Sequence, residues 1–196
     1  MTPDTLLVRD LVFAGAAGIA IAAACGLRAF LPLLALGIGV RLQLLHVDSS
    51  AAWIGSTPAL VALTWATVLE LAADKLPALD HLLDLVGTFL RPAAAATAAW
   101  CTFKGVHPAI AVVAAVLLGA GAMGVHVTKA KVRLGSSMLT LGGANPLLSF
   151  VEDAIAGGLS AIALLAPIAG LLTAIVVVLL LRRVFRPPQP RPVARG

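Results

Sequence analysis

The sequence predicts an all-α protein: a polytopic transmembrane helical bundle of about five to six spans, with broken or re-entrant helices. Three observations predict it. Of the 196 residues, 60% are hydrophobic and only 12% are charged, about half the charged share of an ordinary soluble domain. The apolar residues gather into five long runs, 11–40, 58–73, 85–103, 108–127 and 154–181, on the scale of the ~20 helical residues that cross a bilayer core. The acidic residues are concentrated: six of the nine fall in 70–84 and 152–153. The expected organisation is a short cytoplasmic N-terminus (1–10), a transmembrane helical domain (11–183) and a disordered Pro/Arg-rich cytoplasmic tail (184–196).

The first run is too long for one straight span, because 30 residues at 1.5 Å each reach about 45 Å. It contains "CGLRAFLP". Gly26 loosens the helix, and Pro32 cannot donate to the carbonyl of Arg28. A kink or break near Arg28 is therefore expected, with a guanidinium and freed backbone groups at membrane depth. Such backbone is tolerated there only under cover of protein or a watery cavity. Arg9 followed by the apolar run to "AAAC" has the outline of a secretory leader, but the pattern continues through "AFLPLLALGIGV" with no polar start, so an uncleaved first segment is expected.

The stretch 134–157 is Gly-rich and interrupted. "NP" at Asn145-Pro146 is a helix start, with Asn as cap and Pro in the first turn. It is read either as a sixth crossing or as a re-entrant segment. In the last run Pro167 and Gly170 predict a kink. The distribution of Lys and Arg favours six crossings with both termini in the cytoplasm: Arg9, Lys75, "KAKVR" (129–133) and Arg182, Arg183 and Arg186 then lie inside. Arg41 and Lys104 lie outside, with Trp53, Trp100 and Phe103 as an outer aromatic belt. Small residues at every fourth position (Ala14, Gly18, Ala22, Gly26; Ala166, Gly170, Ala174) allow close helix approach, and packing within the chain is the expected use. A homo-oligomer stays open.

Two echoes suggest an internal repeat of the kind that transporters use. "PALDHLLD" (77–84) resembles "PLLSFVED" (146–153), and "CGLRA" (25–29) resembles "MGVHV" (123–127).

An ionisable group inside a bilayer is costly, so each is a functional candidate. Glu70 and Asp74 share one helix face. As like charges four residues apart they repel, and one is expected to gain a proton or a cation. Asp80 and Asp84 form a second such pair, with Arg91 two turns beyond Asp84. Lys75, Asp80 and His81 are read as a cytoplasmic helix–helix turn. The cationic partners available are Arg28, Lys75, Arg91, Lys129 and His126, and Glu70 is the expected bidentate partner of Arg28, with Asp74 second. The candidate pathway is thus Arg28, Glu70, Asp74, Asp84, Arg91, His126, Lys129, Asn145, Glu152 and Asp153. Lys131 and Arg133 are read as interfacial anchors. No hydrolase, nucleotide-loop, zincin or haem motif occurs, so no catalytic residue, metal or cofactor is assigned. Cys25 and Cys101 lie in apolar runs and are read as buried small side chains. The net charge of +5 owes much to the tail, which suits anionic lipid and gives no reason to invoke nucleic acid.

At "GLRAFLPLLALGIG", "LELAADKLPALDHLLDLVGTFLRP", "HVTKAKVR" and "NPLLSFVED" the chain resembles a family of small bacterial integral-membrane proteins catalogued only as a domain of unknown function. The resemblance covers most of 10–180. It implies a multi-pass inner-membrane protein and supplies no activity. Val125 before the motif histidine argues against a polar role at that position. The partners expected are the bilayer and an ion or small polar solute, for a small transporter or channel. The alternatives are a membrane-embedded lipid-headgroup handler or enzyme, and a structural assembly factor.

Overall fold

A computed structural model describes the backbone of residues 3–73, 77–103, 106–140, 143 and 145–184, and within these the side chains of all but 3–7, 10, 77–84, 139, 140, 145, 181, 182 and 184. The described chain is helical, with no strand. Seven α-helices follow in order: α1 (Pro3–Cys25), α2 (Phe30–Arg41), α3 (Thr57–Ala73), α4 (Pro77–Thr102), α5 (Pro108–Thr140), α6 (Asn145–Leu165) and α7 (Pro167–Val184), with a 3₁₀ turn (Ala52–Gly55) between α2 and α3. Pro77 and Pro108 open α4 and α5, and Pro167 opens α7. A proline costs nothing there because the first-turn amides have no intrahelical partner. Two helices are long and apolar enough to cross a membrane, Pro108–Met138 and Pro146–Leu165, and the fold is compatible with a membrane protein.

The expected break in the first run is present. α1 stops at Cys25 and α2 starts at Phe30. Pro32 falls in the first turn of α2, where its missing N–H is harmless. The break is a reversal. A side chain at Gly18 would meet Thr102 and Phe103 near the end of α4, whereas one at Gly26 would meet Val125 and the Ala122 carbonyl of α5. Thus α1 runs alongside α5. α2 returns the other way beside α6: Arg28 meets Ser149 and Asp153, Leu31 lies against Gly157, and Gly39 lies against Leu164.

Helices α3 to α7 then alternate in direction. One end of the bundle gathers Arg41, Trp53, Thr102, Pro108 and Leu165. The other, basic end gathers Ala73, Pro77, Thr140, Asn145 and Val184. The 11–40 run makes a hairpin, so the start of α1 and the end of α7 sit at opposite ends of the bundle. A correction concerns Pro167. The chain folds back there, so that Gly170 packs on Ala163, and the 154–181 run belongs to two helices. The ambiguous 134–157 stretch divides likewise: α5 continues to Thr140, and α6 begins at Asn145.

The core is made of small side chains: Ala17, Ala20 and Ala24 of α1 against Ala94, Ala95 and Ala98 of α4, with Leu159 and Ala163 of α6. Ala14, Ala22 and Ala174 are buried too, so the first small-residue stripe serves packing within the chain, as do Gly170 and Ala174 of the second, while Ala166 is exposed. Cys25 and Cys101 are buried free thiols. The echo between 25–29 and 123–127 has no structural counterpart, since the first is a break and the second lies inside α5. The echo between 77–84 and 146–153 opens α4 and α6; the side chains of 77–84 lie outside the described residues.

Candidate functional site

The reversal between α1 and α2 exposes two sets of unsatisfied backbone groups, and charged side chains from other helices meet both. The residue preceding α2, Ala29, has no side chain able to cap it. Glu70 of α3 takes that role from 41 positions away. Its Oε1 accepts the Ala29 amide at 2.9 Å and its Oε2 accepts the Phe30 amide at 3.1 Å. On the other side of the break, the Leu27 carbonyl accepts a hydrogen bond from Lys129 Nζ at 3.3 Å. Each charge suits its helix end: an anion stands at the positive N-terminus of α2, and a cation stands at the negative C-terminus of α1. Glu70 and Lys129 are both buried, which strengthens these interactions relative to water.

Between them lies Arg28, 0% exposed. Its Nη2 donates to Ser149 Oγ at 2.8 Å. Its Nε lies 2.6 Å from Asp153 Oδ1, close enough for an ion pair but not aligned as a hydrogen bond. Glu152 is the hub of the cluster. Its Oε2 lies 2.8 Å from Lys129 Nζ, 3.1 Å from Arg133 Nη2 and 3.8 Å from Arg28 Nη2. An isolated buried charge is prohibitively costly. Here one carboxylate is shared among three cations, while Arg28 also keeps the carboxylate of Asp153 beside it.

A second group adjoins the first. Arg91 of α4 contacts His126 Nδ1, and His126 Nε2 lies 3.3 Å from Thr88 Oγ1. Arginine has no acceptor, so Nδ1 accepts; in the neutral ring Nε2 then carries the proton and donates to Thr88. The Arg91 guanidinium lies over Gly87, where a Cβ would come within 3.2 Å of it. Arg91, Arg28 and Arg133 are all close enough to Lys129 for their charges to act on it.

The structure therefore brings together Arg28, Arg91, His126, Lys129, Glu152 and Asp153 from the expected set, with Glu70 at the adjoining helix end. It corrects the expected pairing of Arg28 with Glu70. The break turns the Ala29 and Phe30 amides toward α3 and the Arg28 side chain toward α6, so Glu70 meets backbone while Asp153 and Glu152 meet Arg28. The expected capping role of Asn145 and the expected parts of Asp74 and Asp84 concern side chains outside the described residues, as does the turn of Lys75, Asp80 and His81.

Three contributors escaped the sequence reading: Thr88, Ser149 and Arg133. The sequence pattern places Arg133 at the interface with Lys131. The signal for it was spacing, because His126, Lys129 and Arg133 fall at i, i+3 and i+7 on one helix face, whereas Lys131 points outward and is exposed. Ser149 likewise shares a face with Glu152 and Asp153. Among the described residues no group of His, Cys, Asp and Glu could hold a metal ion.

The geometry suits holding charge inside a helical bundle. Compared with known families, the chain matches over residues 16–187 the family model described as "Domain of unknown function (DUF4126)". It belongs to that family. No curated protein and no solved structure gave a match.

Proposed function

We propose that this member of a family of unknown function is a small multi-pass transporter or channel of the bacterial inner membrane, moving an ion or small polar solute past the buried ionic cluster. The observation that carries the reading is the broken first helix, with Glu70 on one cut end and Lys129 on the other. Interrupted helices whose open ends face charged groups are the usual construction of substrate sites in membrane transporters. The cluster sits deep: α2 climbs about 18 Å from Arg41 to the break, more than half of a ~30 Å hydrocarbon core. On this reading α3 to α7 cross the bilayer, the basic end faces the cytoplasm, and α1 with α2 enters from the outer side as a re-entrant hairpin. The first residue of α1 is then external and the tail is cytoplasmic.

Passage requires the ion pairs to open, because Arg28, Arg91 and Lys129 are almost fully buried. A permeating ion or polar group would replace one partner of Glu152 at a time, which keeps the remaining charges compensated.

A structural role is the second reading, and the same burial and pairing of Arg28 favour it. Flux from proteoliposomes loaded with a panel of monovalent ions, protons and small organic anions separates the two. Transport predicts selective flux in wild type and its loss in Glu152→Gln, reconstituted at equal folded yield. Absence of flux across the panel from folded, inserted protein would support the structural role.

A further inference from the structure

We propose that the groove between α1, α5 and α7 is a binding site for one acyl chain of a membrane lipid whose acidic headgroup is held by Lys131. This rests on the membrane-spanning part of the reading above and is independent of transport. The groove has a volume of about 370 Å³ and is lined by Ile19 and Ala23 of α1, Gly121, Gly124 and Thr128 of α5, and Val178 of α7. It lies apart from the ionic cluster.

Two glycines on its floor have no structural explanation within the chain. A Cβ at Gly121 or Gly124 would meet nothing within 4 Å, whereas one at Gly119, on the opposite side of α5, would lie 3.0 Å from the Pro92 carbonyl oxygen. Glycine in a helix interior costs roughly 1 kcal/mol relative to alanine. Here it opens space that the protein itself does not fill. The one polar side chain of the floor is turned away: Thr128 Oγ1 donates to the Gly124 carbonyl at 2.8 Å, which satisfies its hydroxyl and leaves an apolar surface.

Lining and charge decide the occupant. A single hydrocarbon chain, which brings no polar group to satisfy, suits a groove whose lining is apolar apart from Thr128. At the basic end the groove meets charge. Lys131 lies two turns beyond Gly124 on the same face of α5 and is exposed. α7 runs parallel to α5 here and carries the exposed Arg183 to the same end. An acyl chain directed into the bundle therefore has its headgroup at a cationic rim, where anionic lipid is attracted.

The test uses full-length protein purified in mild detergent and native mass spectrometry, with phosphatidylglycerol or phosphatidylcholine of identical chains added. One phosphatidylglycerol per chain is expected to survive activation that strips phosphatidylcholine. Lys131→Gln should weaken phosphatidylglycerol retention about fivefold and leave phosphatidylcholine unchanged. Gly124→Leu, whose Cβ meets no neighbour and whose side chain projects into the groove, should remove retention of both while the protein still fractionates with membranes and melts normally. Retention undiminished by Gly124→Leu would overturn the acyl site, and retention indifferent to headgroup or to Lys131→Gln would overturn the headgroup assignment. Wild-type protein that remains in the soluble fraction would instead refute the membrane-spanning reading.

Discussion

Glu70 holds the amide of Ala29 at 2.9 Å across 41 residues of sequence, so that α3 supplies the cap that α2 lacks. The carboxylate binds two adjacent amides and is buried. Glu70→Gln keeps one good acceptor and loses the charge, while Glu70→Ala leaves both amides without it. The expected losses are about 1–2 kcal/mol for Gln and about 3 kcal/mol for Ala. Thermal unfolding in detergent measures this order, and equal stability of all three proteins would remove Glu70 from its capping role.

Arg28 and Asp153 should be energetically coupled, whereas Arg28 and Glu70 should not. Removing one member of a buried ion pair costs about 3–5 kcal/mol, largely because the partner is stranded. Arg28→Ala combined with Asp153→Ala is therefore expected to be milder than the sum of the single changes by more than 1 kcal/mol. Arg28→Ala with Glu70→Ala should come closer to additivity, despite their proximity. Two double-mutant cycles on unfolding free energy make the comparison. A larger coupling for Glu70 than for Asp153 would contradict the geometry.

Gly26 and Gly121 make a matched contrast. A Cβ at Gly26 would lie 2.6 Å from Val125 Cβ and 2.8 Å from the Ala122 carbonyl oxygen, and the latter is backbone that cannot turn aside. Gly26→Ala should destabilise by about 1–3 kcal/mol. Gly121→Ala meets open space and should leave stability unchanged or raise it by up to about 1 kcal/mol. Comparing detergent-solubilised yield and melting temperature tests both signs together.

The hairpin made by α1 and α2 predicts a particular topology. Single cysteines at Val8 and Ser50, introduced after Cys25 and Cys101 are replaced by Ala, should react with a membrane-impermeant maleimide from one side. A cysteine at Arg183 should react from the other. All three positions are exposed. Reaction of Val8 and Arg183 from the same side would show that the 11–40 run crosses after all.

Much of the fold follows from the sequence, because its causes are local. Pro32 with Gly26 interrupts the first run, since a proline cannot donate and a glycine does not hold a helix. Prolines 77, 108, 146 and 167 stand at or next to helix starts. The expected burial of Arg28, Glu70, Arg91, His126, Lys129 and Glu152 follows from charge placed in apolar surroundings. Tertiary structure alone decided what those charges meet. Helical periodicity tells which residues share a face, but not the rotation of that face toward its neighbours or its depth in the bundle. For that reason the carboxylate beside Arg28 is Asp153 of α6 and not Glu70 of α3, Arg133 turns inward while Lys131 turns out, and the first run doubles back. The four-residue turn at 26–29 reverses the direction of the chain, and the packing of Gly26 on α5 and of Gly39 on α6 fixes its new heading.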